Sequence, residues 1–269
     1  MRFEDDEIRY VANIRPTENC EVILEEDSSH NNNTIVITPA FIDPHSHVGM
    51  VRSGEPSKKE EANEQMNSIY PLVNALHSIY MDDPSFNESV ESGVLYSIVL
   101  PVSGSVIGGK AVLIRNFVHD ISQAFIKDIG VKAALGFNPR STIDWKGNRP
   151  SNRMGAVAML RENFIKAQKM QRLVQAEKKV IDEVEPLTEV SMDILSAKYQ
   201  MMVHVHKEDD VMGLLQLAKE FGIKELFDVR YFSILICHND VLTFCIINCN
   251  NVILIYIQYL VLAIYNLSS

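Results

Sequence analysis

The sequence predicts an α/β fold built on a parallel sheet buried on both faces. Three observations carry that expectation. Continuous apolar segments such as "VLYSIVLP" and "MMVHVH" are separated by amphipathic stretches of helical length, the pattern of strands covered by helices on either side. The strands lack the polar–apolar alternation of a sheet with one wet face. With 269 residues, 46% of them hydrophobic, the chain can bury a full core as one large domain or as two.

The elements follow in order. Residues 1–37 are acidic and lose pattern at "EEDSSHNNN", an exposed polar loop, after which "TIVIT" reads as a short buried strand. Residues 38–224 alternate strand and helix. "AFIDPH" is a strand, and "PSFNESVESG" has Pro84 and Ser85 near its start and Gly93 after it, as a short helix does. "VLYSIVLP" is a strand ended by Pro101, and "AVLIRNF" and "VKAALGF" are two more. Ser151 or Asn152 caps a long helix, "RMGAVAMLRENFIKAQKMQRLVQAEKKVI", whose apolar face runs through Val157, Leu160, Phe164, Ala167 and Val174. "TEVSMDILSAKYQ" is a helix with Thr188 as its N-cap. "MMVHVH" is a strand, and "DDVMGLLQLAKEFG" is a helix with Asp209 or Asp210 at its start and Gly222 at its end. No internal repeat is visible.

Residues 225–269 break the pattern. "VLTFCIINCNNVILIYIQYLVLAIYNLSS" has no charged residue, glycine or proline. Its apolar run "VILIYIQYLVLAIY" is 14 residues long, short of the roughly 20 a membrane span needs. Upstream extension brings in Asn248, Asn250 and Asn251, each costly in hydrocarbon, and no Lys or Arg anchors flank it. The tail reads as an atypical continuation, of the kind a frameshift, a retained intron or a wrong gene model produces.

Composition excludes several classes. A net charge of −10 and a pI near 5.3 give no basic field for nucleic acid. "MRFEDDEIRY" has no apolar h-region, so the expected compartment is the cytoplasm. Four cysteines do not make a disulfide framework. The expected partner is a small-molecule substrate, with no nucleic acid and no membrane. The Lys- and Arg-bearing long helix reads as a solvated face, its sharper alternative being a homo-oligomer contact.

The chemistry-bearing residues are histidines. In "TPAFIDPHSHVGM", His45 and His47 stand one residue apart at the end of a strand, where i and i+2 project to one face. Two converging imidazoles suit a divalent metal, zinc above all. "MMVHVHKEDD" repeats the arrangement with His204 and His206. The plain alternatives are two surface histidines in a loop and, for the second pair, one core histidine with a solvent-facing neighbour. A shared metal site accounts for both pairs at once. Gly-rich "SGSVIGGK" reads as a flexible loop rather than a phosphate cradle, since no helix start follows it. "SGEPSKKEEANEQMN" reads as a surface loop, with a lid as its sharper alternative.

"TPAFIDPHSHVGM" resembles the "PGFIDxHxH" signature of the amidohydrolase superfamily. "NALHSIYMDDPSFNESVESGVLYSIVLPVSGSVIGGKAVLIRN", "GFNPR", "RMGAVAMLREN" and "HVHKEDDVMGLLQLAKEFGIK" are similar to its imidazolonepropionase-like subgroup. The resemblance covers roughly residues 35–224. It implies an incomplete TIM-type (β/α)8 barrel over residues 38–224, with residues 1–37 as a remnant of a small N-terminal β-sandwich and 225–269 as the apolar tail. It implies a metal-dependent hydrolase acting on the C–N bond of a cyclic or other small amide. One or two divalent ions would be held by first-strand histidines, a carboxylate or modified lysine, and later histidines. His45 and His47 match the first-strand ligands, His204 matches the fifth-strand ligand, and His206 matches a neighbouring contact. Asp43 would orient a ligand histidine, its plain alternative being a turn before Pro44.

The chain departs from that pattern at three places. Phe137 stands where the subgroup has a glutamate. His238 lies near the expected sixth-strand histidine in a context that does not match. The last-strand aspartate that would act as base has no counterpart, so no catalytic residue is assigned. A truncated, inactive relative is the alternative reading. A cupin-like β-barrel also uses His-x-His, but the nearest following glutamate is Glu55 and the long helices argue against an all-β fold.

Overall fold

The structure, a computed structural model, describes residues 39–52, 60–141 and 148–223 in full and the backbone of the strand residues 2–4, 7–10, 226–228, 233–236, 242–245, 254–257 and 260–263. It divides into two units, Met1–Pro39 and Ala40–Ser269. In the first unit, strands β1 (Arg2–Glu4) and β2 (Glu7–Tyr10) pair antiparallel. "TIVIT" and His238 lie outside the described residues, as do the three cysteines Cys20, Cys237 and Cys249.

The second unit runs β3 (Phe41–Ser46), α1 (Ser85–Glu91), β4 (Val94–Val99), β5 (Ile107–Arg115), α2 (Ile121–Ala124), β6 (Phe125–Ala134), α3 (Asn138–Ser141), α4 (Arg153–Gln175), α5 (Pro186–Leu195), β7 (Gln200–His204) and α6 (Glu208–Phe221). The backbone strands β8 (Leu226–Asp228), β9 (Ser233–Ile236) and β10 (Leu242–Cys245) extend the sheet, and β11 (Leu254–Ile257) pairs with β12 (Leu260–Ala263). The eight-stranded sheet has the order β10-β9-β8-β7-β6-β5-β4-β3. Among the described residues no helix is long and apolar enough to cross a membrane.

The expectation of a purely parallel sheet needs correction. β3–β4, β6–β7 and β7–β8 are parallel, but β5 runs antiparallel to both β4 and β6, and β8–β9 and β9–β10 are antiparallel too. The reason for β5 is connection length. Only Leu100–Val106 separates β4 from β5, whereas a parallel return needs a crossover of a dozen residues or more.

Alternation along the strands separates two faces. Val131, Ala133 and Leu135 from β6 and its end, with Met201, Val203 and Val205 from β7 and its end, join Leu160, Phe164, Leu214, Leu217 and Phe221 from the helices in one core. The even-numbered neighbours face the other way. Leu100, Ala111 and Met202 cluster there with Ile98, and Lys132 pairs in register with Met202 and Ala134 with His204. A second outer core gathers Met50, Phe86, Val99, Val112 and Ile114 around β3–β5 and α1.

The helices lie where the sequence patterns place them, but α4 stops at Gln175 rather than Ile181, α5 stops at Leu195 before the turn that leads into β7, and one cap changes. The side chain of Asn152 caps α4, which buries Ala156, Leu160, Phe164 and Ala167 at helical spacing. α5 begins with Pro186 in its first turn, a position where the missing N–H has no cost. Thr188 therefore lies inside the helix and is not its cap. Gly222 ends α6 at φ +67°, the left-handed conformation that glycine reaches most easily.

The glycine-rich stretch is half loop and half strand: residues 103–106 turn, as expected, while residues 107–110 open β5. Ile107 N–H donates to Ser68 O (2.9 Å) and Lys110 N–H to Val73 O (2.6 Å), so neither amide is left to cradle a phosphate. Gly109 sits at φ +130°, and a Cβ there would fall 2.6 Å from Val73 O, which is why the position takes no side chain. Of the charged loop, residues 60–66 are fastened down. Glu61 N–H donates to Met50 O and Val102 N–H to Ala62 O, while Asn63 Oδ1 accepts from Gly104 N–H.

Candidate metal centre

β3 is the edge of the sheet, so Pro44 can sit in it without removing a ladder hydrogen bond. The β3–β4 register slips between Asp43 and Ser46. At that slip the carboxylate of Asp43 accepts the backbone N–H of His45 (3.0 Å). Asp43 thus fixes the backbone that carries His45 rather than its ring. Burial pushes the Asp43 carboxyl up from its ordinary pKa, against the downward pull of the His45 N–H and the Ser46 hydroxyl.

His45 and His47 come together as the sequence implies. Their Nε2 atoms lie 3.4 Å apart, with the rings edge to face. Nδ1 of His47 stands 2.7 Å from the carbonyl oxygen of Leu100. A carbonyl only accepts, so Nδ1 carries the proton and Nε2 presents its lone pair toward His45. Two nitrogens bound to one tetrahedral zinc at about 2.05 Å are about 3.3 Å apart, and the pair therefore fits such an ion.

The sequence reading missed Lys132. This lysine is 1% exposed, and its Nζ lies 3.5 Å from His45 Nε2. β3 and β6 are three places apart in the sheet, about 14 Å if it were flat. Side chains stand roughly perpendicular to a sheet, so the contact requires the sheet to curl into part of a barrel. One signal was available in the sequence, a lysine inside the otherwise apolar strand "VKAALGF".

The second pair sits at the end of β7 and just beyond it. His204 is 2% exposed and His206 is exposed. Their Nε2 atoms are 2.7 Å apart, and Asn138 Nδ2 is 3.0 Å from His204 Nε2. Asn138, a second residue the sequence reading missed, follows Phe137 in "GFNPR"; Phe137 itself is 63% exposed. Among the described residues no three His, Cys, Asp or Glu side chains gather as a set able to hold a metal ion. Convergence of all four imidazoles is accordingly a proposal about the metal-bound protein.

No family model matches the chain. Amidohydrolase tasK of Hapsidospora irregularis is 28% identical to it over 148 residues, 51% of this chain and 15% of that protein. The crystal structure of an amidohydrolase from Thermotoga maritima MSB8 superposes with a TM-score of 0.65 at 30% identity, covering 71% of this chain and 51% of that one. The chain thus spans about half the length of the Thermotoga relative and a smaller share of the Hapsidospora protein. The curled sheet with its covering helices agrees with a partial barrel of that kind. Signature, sheet and relatives point the same way: the chain is related to the amidohydrolase superfamily.

Proposed function

We propose that this protein is a metal-dependent amidohydrolase of the imidazolonepropionase-like subgroup, hydrolysing the C–N bond of a cyclic amide or another small amide. The observation that carries the reading is the His45–His47 pair, with 3.4 Å between Nε2 atoms and Nδ1 of His47 held by a backbone carbonyl. His45 and His47 would hold a divalent ion, zinc by preference, and His204 and His206 would supply further donors to one or two ions. When bound, such an ion lowers the pKa of a water and polarises the amide carbonyl.

The remaining roles belong to the chain. Leu100 O keeps His47 in the tautomer a ligand needs. Asp43 fixes the His45 backbone. Leu100, Ala111 and Met202, with Ile98, form a small buried apolar cluster, which Leu100 links to His47 through its carbonyl oxygen. Lys132 fits the modified lysine of the family. Its amine, adding carbon dioxide and losing a proton, would become a carbamate and place anionic oxygens beside His45. A second reading, binding without turnover, is favoured by one observation: Phe137 stands where a carboxylate is expected, and phenyl offers no donor.

The test is the zinc content of purified protein with and without His45→Ala plus His47→Ala. It is paired with hydrolysis of a panel of small cyclic amides by the zinc-loaded wild type. We expect zinc in the wild type and its loss from the double variant. Equal zinc in both would end the proposal, and zinc binding without turnover of any amide would favour the second reading.

A further inference from the structure

We propose that Asn138 is a third donor, beside His204 and His206, to a divalent cation at the C-terminal end of β7. The inference rests on the reading of His204 and His206 as metal-facing residues and adds to it a residue that the sequence pattern did not mark.

The argument begins with crowding at one atom. Nε2 of His204 has His206 Nε2 at 2.7 Å and the side-chain amide of Asn138 at 3.0 Å. An imidazole nitrogen carries either one proton or one in-plane lone pair. If His204 Nε2 carries the proton, both neighbours must turn lone pairs toward that single hydrogen. If it carries the lone pair, two N–H donors must share it. Either way one atom serves two close partners. A cation set among three lone pairs satisfies all three at once. The two ends of an asparagine amide have the same shape, so bonding decides which faces the ring. With a cation present, the oxygen faces it.

The spacing is compatible with this arrangement. Two cis donors on a six-coordinate ion at about 2.1 Å are about 3.0 Å apart. The 3.0 Å separation matches, and the 2.7 Å separation needs a shift of only a few tenths of an ångström. Tetrahedral zinc asks for about 3.3 Å. Two imidazoles with one carbonyl oxygen suit a divalent transition ion, zinc or its spectroscopic substitute cobalt among them.

The fold holds Asn138 in place for the role. Leu135 N–H donates to His204 O (2.9 Å), tying the end of β6 to the histidine itself. Arg140 Nε donates to Gly136 O (2.6 Å). Gly136 has φ +79°, and a Cβ there would lie 2.7 Å from Asp210 Oδ2 on the first turn of α6. Glycine suits this left-handed turn beside α6, and the loop then delivers Asn138 to His204. On the other side His206 is exposed, which leaves a path for the ion.

The experiment is a Co2+ titration of the metal-free full chain, read by calorimetry and by the visible absorption of bound cobalt. It compares wild type, Asn138→Asp, Asn138→Leu and His204→Ala. An aspartate keeps the oxygen donor and adds charge, so Asn138→Asp is expected to tighten cobalt binding by about tenfold. Asn138→Leu removes the donor and is expected to weaken it by about tenfold or more and to change the cobalt spectrum. If the amide instead donates its N–H to His204, aspartate weakens binding as leucine does, and the proposal is overturned. Unchanged binding in both variants overturns it equally. His204→Ala separates the two levels. A chain that loses cobalt with His204 yet ignores position 138 refutes only the role of Asn138, whereas cobalt binding indifferent to His204 removes the second pair from the site altogether. Asn138→Asp is nearly isosteric, and far-UV circular dichroism confirms that each variant is folded.

Discussion

Replacing His47 with alanine tests the first-strand pair quantitatively. Four-ligand structural zinc sites bind with roughly 10–16 kcal/mol, so one imidazole accounts for about 3 kcal/mol. At 1.4 kcal/mol per decade that is about a hundredfold loss of affinity. The structure adds a second effect. Leu100 is fully buried, and its carbonyl loses the His47 Nδ1–H donor, which lowers metal-free stability by about 1–3 kcal/mol. The two effects separate in one assay, urea unfolding with and without zinc. At zinc one hundred times the wild-type Kd, the wild type gains about 2.7 kcal/mol from binding. With the affinity a hundredfold weaker, the same zinc stabilises the variant by only about 0.4 kcal/mol by the same relation. Equal zinc-induced stabilisation of wild type and His47→Ala would show that the 3.4 Å pairing is incidental packing and refute the reasoning.

Two further predictions concern the frame of the site. Phe164 is fully buried between α4 and the sheet, its ring 5.5 Å from that of Phe221, so Phe164→Ala should cost about 3–5 kcal/mol of stability, read as a lower urea midpoint. A drop below 1 kcal/mol would mean that the α4–α6 packing is not as described. Asp120 caps α2, accepting from the Ser122 hydroxyl and the N–H groups of Ser122 and Gln123, and these bonds, the Ser122 hydroxyl first, hold its carboxyl below the ordinary value of 3.8. Because the folded pKa is lowered, the cap contributes fully above about 3.8 and is lost as pH falls through the folded value. Ser122→Ala should raise the Asp120 titration midpoint seen by NMR, and a midpoint unmoved by that change would contradict the cap.

Much of the fold was legible because apolar period and end signals are local. The boundaries of α1 and α6, the Asn152 cap and the Gly222 stop all follow from short-range sterics and hydrogen bonding. The misreadings are also physical. Thr188 looks like a cap by residue type, yet Pro186 starts the helix two residues earlier because its fixed φ already suits a first turn. "SGSVIGGK" looks like a loop by glycine content, yet pairing with β6 makes its second half, residues 107–110, strand. The direction of β5 could have been read from the short Leu100–Val106 connection, since no crossover fits there.

For the site, the sequence by itself determined which histidines come in pairs, because residues two apart where a strand ends stay close whatever the rest of the chain does. Lys132 beside His45, Leu100 O on His47 and Asn138 against His204 were decided only by the tertiary structure. Each joins atoms 53 to 87 residues apart in the chain, and such contacts depend on how far the sheet curls and where loops cross its end. No local propensity encodes that curvature. It arises when the outer faces of β6 and β7 bury themselves under α4, α5 and α6, which leaves the inner face to bring the polar side chains together.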